Sequence, residues 1–286
     1  MLKSMMRAES TRRLRVYMEF LLSPLQKTFR AYLGLLWVSY QHRFLITRLI
    51  IRDIKSRTSG TWLGGLWMLI QPAFQLVGLW FVLGFVIKDQ GAGRVPFLDY
   101  YFVAMIPWLM INELVTRALH ILHELQGLYQ RTVFPVVAIP VAMTCSTIGV
   151  YALINAGFIA LHMGAEFSLR GVLIIIAIGL SILPLVLIVS LLGVFVREAK
   201  QIIPLIMSFF MYASPILYQP EALPQKIRVL NAFNPIAGLT AWSEWLINGL
   251  VYTEVNYSLP INIFLVALPV SWALFVRLEP YIRELL

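Results

Sequence analysis

The sequence predicts an all-α integral membrane protein: six transmembrane helices, an N-terminal amphipathic interface helix, and re-entrant external helices between spans five and six. Three observations predict it. Hydrophobic residues fill 59% of 286 positions and charged residues only 13%, about half the roughly 25% usual in soluble domains. Twelve of the 23 Lys and Arg residues precede Trp62. The long apolar stretches that follow are nearly free of charge, and about 20 such residues cross the hydrocarbon core as a helix.

Six such stretches stand in the chain: 62–87, 97–112, 138–161, 171–196, 202–218 and 259–276. The first is long enough to cross with tilt. The third and fourth are equally plain, and the last two are short but uncharged. The second carries Asp99 near one end, Pro107 inside and Glu113 just beyond. Loop charge supports it as a span. With both termini cytoplasmic, six spans put 18 Lys and Arg inside and 5 outside. Dropping the second span gives 15 against 8, a poorer match to the positive-inside rule.

Before the spans, the chain divides into a cytoplasmic extension (1–28) and an amphipathic region (29–61), followed by the permease-like body (62–286). The extension does not read as a cleavable signal, because its apolar patch at 18–22 is broken by Glu19. Gln41, Arg48, Arg52 and Lys55 fall on one narrow helical face, while Phe44, Leu45, Leu49, Ile51 and Ile54 cover much of the rest. A centrally buried Arg costs ~2.5–3.5 kcal/mol on insertion scales, so a helix lying in the cytoplasmic interface fits better than a seventh span. Residues 219–258 are too apolar for a plain loop. Pro215, Pro220, Pro224 and Pro235 punctuate this region, and 236–250 is amphipathic around Glu244. Two short helices dipping into the outer membrane face are expected, packed on protein or lining a wet cavity.

Several chemistries are set aside. Cys145 is the single cysteine, so one chain builds neither a disulfide framework nor a multi-Cys metal site. No G-x-x-x-x-G-K-[ST] loop is present, which removes that route to ATP. Gly60, Gly64 and Gly65 read instead as a bend and a close-packing face. Apart from Asp99 near one end of the second, the spans hold no Asp, Glu, Lys or Arg in their interiors, unlike ion-coupled transporters. Energy for transport must then come from outside the chain. The net charge of +9 follows topology, so no nucleic-acid partner is expected. His120, His123 and Glu124 lack the H-E-x-x-H order of a zinc-protease helix and read as the polar end of a helix. No metal or other cofactor is expected in this chain.

Two sets of residues have both a plain and a sharper reading. Most aromatics belong to the interfacial belt, but Tyr100, Tyr101, Trp108, Tyr212, Tyr218, Trp242 and Trp245 lie where flat rings could stack on sugars. The basic stripe of Arg48, Arg52, Lys55 and Arg57 sets orientation and attracts anionic lipid, at ~1 kcal/mol per residue. Its sharper reading is a dock for a phosphorylated lipid head group, since Arg forks onto phosphate oxygens.

Four strings carry a resemblance. RDIKSRTSGTWLGGLWMLIQP, RTVFPVVAIP, GVFVREAKQII and SPILYQPEALPQKIRVLNAFNPIAGL resemble, in order, four signatures of type-2 ABC exporter permeases that move polysaccharides. These are the passage from interface helix to first span, the turn into span three, the turn between spans four and five, and the external region. The resemblance covers roughly four-fifths of the chain, and FPVVAIP and SPILY resemble O-antigen and teichoic-acid exporters more than capsule permeases. It implies a homodimer in the bacterial inner membrane bound to two copies of an ABC ATPase, with ATP and Mg held by that partner, and a long lipid-linked glycan as substrate. By position it implies ATPase coupling through Leu128, Tyr129 and Phe134. Arg48, Arg52, Lys55 and Arg57 would stand at a lipid-phosphate entrance, and Pro215, Tyr218, Glu221, Asn234 and Pro235 at an external gate. Rival readings are a small-molecule exporter, an intramembrane enzyme acting on lipid-linked sugars, and a passive channel.

Overall fold

The computed structural model describes residues 34–60, 62–87, 96–129, 134–164 and 167–285. The extension 1–28 lies outside the described residues, which are mostly helical with no strand among them. After a helical stretch at 34–41 come α1 (Arg43–Thr58), α2 (Trp67–Ile87) and α3 (Phe97–Glu124). These are followed by α4 (Ala138–His162), α5 (Ser168–Phe195), α6 (Ala199–Ala213), α7 (Pro235–Asn248) and α8 (Leu259–Leu285). Five helices are long and apolar enough to cross a membrane: Gly64–Val82, within which α2 begins, together with α3, α4, α5 and α8. The chain is a multi-pass membrane protein. α6, with 15 residues, is apolar but spans only about 22 Å at ~1.5 Å per residue.

α3 is the axis. Every residue from Tyr100 to Ile111 is buried, because α4, α5 and α7 pack around it. This helix runs past the expected limit of span two at 112 and carries Glu113, Arg117, His120, His123 and Glu124 on its final turns. The charge-free interiors expected of the spans therefore do not describe α3. Glu113 and Arg117 sit one turn apart and pair at 3.7 Å, a spacing that favours the helix, and both find partners on α1 and α4.

Small residues bring α5 close to its neighbours. A Cβ on Gly193 would lie 2.2 Å from the Leu119 carbonyl oxygen of α3, and one on Gly179 would lie 2.3 Å from the Ile148 side chain of α4. Helices in membranes associate through such close backbone approach. α2, by contrast, buries Pro72 and Leu76 and leaves Trp67, Phe74, Val77 and Phe81 exposed.

α1 presses Ile46 and Leu49 onto the bundle, mainly against α4. Its opposite side exposes Phe44, Ile51 and Ile54 along with Arg48, Arg52 and Lys55. Between α6 and α8 the chain forms short turns at Pro220–Ala222, Gln225–Arg228 and Val229–Phe233, then α7. Asn234 caps α7 by accepting from the amides of Ile236 and Ala237, as N-cap Asn does. Gly249 ends it at φ 68, a left-handed position suited to glycine.

Candidate functional site

Two i,i+4 acid–base pairs, one on α1 and one on α3, meet to form a closed ionic cluster. Arg57 Nη1 donates to Glu113 Oε1 at 2.6 Å and its Nε lies 3.2 Å from Asp53 Oδ2. Arg117 Nη2 donates to Asp53 Oδ1. From α4, Ser146 Oγ donates to Asp53 Oδ2 at 2.5 Å, and Thr147 Oγ1 accepts from Arg57 at 2.7 Å and from Arg117 at 3.0 Å. The Tyr151 hydroxyl donates to Glu113. All four charged side chains are largely covered, so each charge is offset by an opposite one and by hydroxyl groups. Such pairing is what makes partial burial tolerable.

The cluster forms one wall of a cavity of about 470 Å³ between α2 and α3, within the ~300–1,000 Å³ usual for small-ligand sites. α2 contributes Trp67, Gln71 and Gln75, spaced by four residues and so on one face, and α3 contributes Asn112 and Thr116. This is a polar recess edged by an aromatic ring, set in an otherwise apolar bundle. Arg48, Arg52 and Lys55 remain exposed on α1, whereas Arg57 turns inward to the carboxylates. The expected basic set therefore splits into three outward residues and one that belongs to the cluster.

The opposite, proline-rich end is held mainly by hydrogen bonds to backbone carbonyls, with an Arg228–Glu254 ion pair at 3.2 Å in the same region. Tyr100 donates its hydroxyl to the carbonyls of Pro215 (2.5 Å) and Tyr218 (2.7 Å). Asn234 donates to Ser214 Oγ at 2.9 Å and to the Ala213 carbonyl at 3.2 Å, tying the end of α6 to the start of α7. Pro215, Tyr218, Asn234 and Pro235 thus lie at one junction, and the Glu221 carbonyl joins through Arg228 Nη2 at 2.9 Å. Glu244 of α7 is 1% exposed. Its Oε2 accepts from Asn248 at 2.8 Å, while Oε1 is buried without a hydrogen bond. Burial pushes this carboxyl well above its usual range; the Asn248 bond opposes the shift and the charge of Asp99 adds to it.

Several expected roles are corrected. Tyr100, Tyr101 and Trp108 are at most 2% exposed, so none offers a face to a sugar; α4, α5 and α7 enclose α3 and turn these rings into core. Tyr212 and Trp245 are exposed, and Trp242 is half-buried with Nε1 bonded to the Tyr257 carbonyl at 2.9 Å. Phe134 is not presented for insertion into a partner. It is 8% exposed and packs in the main core, because its own carbonyl accepts from Arg283 and the next turn is held by Glu279, which accepts from the Val136 amide at 3.2 Å. Leu128, in the short helix Gln126–Tyr129, is half-buried against the core, and the Tyr129 side chain lies outside the described residues. His120 and Glu124 are exposed and His123 is half-buried. No group of three metal-ligating residues occurs among the described residues.

Known proteins extend this picture. An O-antigen export system permease protein RfbA of Klebsiella pneumoniae is 26% identical over 260 residues, covering 87% of this chain and 98% of the relative. One from Myxococcus xanthus is 23% identical over 208 residues, covering 70% and 78%. The polysialic acid transport protein KpsM of Escherichia coli is 22% identical over 244 residues, covering 80% and 92%. Residues 44–254 match the family described as ABC-2 type transporter. Since that match takes in α1 through α7 and both ends of the bundle, the chain belongs to the ABC-2 type transporter family.

Proposed function

We propose that this chain is the permease subunit of an ATP-driven exporter that moves lipid-linked polysaccharide, O-antigen-like, across the bacterial inner membrane. The observation that carries the reading is the polar, aromatic-edged cavity between α2 and α3. A bundle that only anchored a partner would need no such recess. The near full-length similarity to permeases named for O-antigen and polysialic acid export supports it. So does the lack of a phosphate-loop motif; on this reading a separate ATPase holds ATP and Mg.

On this reading two copies of the chain pair with two ATPase subunits, and α6 with residues 214–218 is a short fifth span. α7 and the turns before it are re-entrant, α1 lies in the cytoplasmic interface beyond the 1–28 extension, and both termini are cytoplasmic. Leu128 and Tyr129 stand in the segment that meets the ATPase. Arg48, Arg52 and Lys55 attract lipid phosphate, and Tyr212 and Trp245 supply exposed rings along the glycan path.

The test is reconstitution in vesicles with the cognate ATPase and a lipid-linked glycan. ATP-dependent appearance of glycan on the far side is expected. ATP hydrolysis by the chain alone, or glycan movement without the ATPase, would overturn the proposal.

A further inference from the structure

We infer that the cavity between α2 and α3 takes an uncharged sugar segment and disfavours an anionic one. This rests on the export reading above and names the substrate chemistry that the recess selects. Two cations, Arg57 and Arg117, face it, and both are already neutralised. Arg57 holds Glu113 at 2.6 Å and lies 3.2 Å from Asp53, and Arg117 bonds the other oxygen of Asp53. The four charges of the cluster sum to zero, with Asp53 part of the cluster and Arg57, Glu113 and Arg117 lining the cavity itself.

An entering carboxylate or phosphate would compete with Asp53 and Glu113 for these guanidiniums, and any ion pair it broke would leave a partly buried carboxylate without its partner. It would also approach Glu113, which itself lines the cavity. Hydroxyl groups meet no such obstacle. Gln71 and Gln75 lie one turn apart on α2, with Asn112 opposite on α3. Each amide both donates and accepts, matching sugar hydroxyls that do the same. Trp67, one turn before Gln71 and partly exposed, adds an apolar face for a pyranose ring. Charged anchoring and neutral recognition are thereby separated, with the outward Arg48, Arg52 and Lys55 on the far side of α1 left for phosphate.

The experiment uses the full chain with its ATPase partner in nanodiscs and two fluorescent probes on the same polyprenyl-pyrophosphate lipid. One probe carries a neutral hexose oligosaccharide and the other a hexuronate oligosaccharide of equal length. The neutral probe is expected to bind at least about tenfold more tightly, which is ~1.4 kcal/mol. The double variant Gln71→Ala, Gln75→Ala should weaken the neutral probe by about tenfold and leave the bare pyrophosphate lipid unchanged. Glu113→Gln should narrow the preference by freeing a guanidinium.

Equal or tighter hexuronate binding would overturn the inference. So would a double variant that binds and exports the neutral probe as wild type does, and the export reading would then still stand. If neither probe binds and neither is transported, the export reading falls and the cavity assignment falls with it.

Discussion

The two ends of α3 are fastened by opposite chemistries. At one end, Asp53, Arg57, Glu113 and Arg117 join α1, α3 and α4 through paired charges and the hydroxyls of Ser146, Thr147 and Tyr151. At the other, Tyr100 and Asn234 join α3, α6 and α7 through neutral hydrogen bonds to backbone carbonyls and a serine. The one carboxylate buried there, Glu244, has an oxygen with no hydrogen bond. An ionic cluster closes only when all its members are in place, since removing one strands its partner. Neutral bonds can be released one at a time at about 1 kcal/mol each. One end is therefore built to stay assembled and the other to be opened in steps.

That contrast can be broken most forcefully at Asp53. Asp53→Asn should destabilise the chain by about 2–4 kcal/mol, somewhat below the ~3–5 of a fully buried pair because the cluster is partly exposed. Thermal unfolding in detergent measures it. Combining it with Arg117→Gln should recover part of the loss, and strict additivity would show that the two do not interact.

At the other end Asn234→Ala should cost about 1–2 kcal/mol through the lost cap. Asn234→Asp keeps the acceptor for Ile236 and Ala237 but loses the donor to Ala213 and Ser214. Its effect should fall between wild type and Ala; if it matches Ala, capping is not what Asn234 contributes.

Glu279→Gln tests the turn that Arg283 and Glu279 hold at 134–136. A loss of about 1 kcal/mol is expected, with faster hydrogen exchange at Val136. Unchanged exchange there would remove the clasp from the account.

The smallest effect belongs to Glu244→Gln, and its sign depends on pH. A carboxyl whose pKa is raised by burial holds its proton in the folded state after the unfolded chain has lost it, so stability declines as pH rises above the unfolded pKa. Gln cannot ionise. The variant should melt higher than wild type at neutral pH, and the gap should close as pH falls toward the ordinary carboxylate range. A gap independent of pH would mean the carboxyl is not the cause.

Much of the fold was legible because bilayer crossing demands long uncharged runs, and α2, α4, α5 and α8 announce themselves that way. The length of α3 was not. A rule that ends a span at its first charge stops at Glu113, and only tertiary partners on α1 and α4 show why the helix continues. The signal was nonetheless present in two acid-first i,i+4 pairs, Asp53–Arg57 and Glu113–Arg117. Composition and spacing could not place Phe134, Tyr100, Tyr101 or Trp108, since an aromatic in a membrane chain suits core, lipid or ligand equally. Which it meets is decided by neighbours remote in sequence. Position along the chain did bring Pro215, Tyr218, Asn234 and Pro235 to one junction, where breaks in adjacent helices must be capped locally.

The close seat of Gly193 on the Leu119 carbonyl has a mechanical consequence. Leu119 lies five residues from the Glu124 end of α3 and nineteen from Tyr100, arms of about 8 Å and 28 Å at ~1.5 Å per residue. A helix held fast there is a lever with unequal arms. Glu113 and Arg117 lie on the long arm, so any rocking of α3 about this seat must carry the ionic cluster and its partners on α1 and α4 with it. An alanine at 193 would bring its Cβ within 2.2 Å of that carbonyl and force α3 and α5 apart, so the seat survives only as glycine.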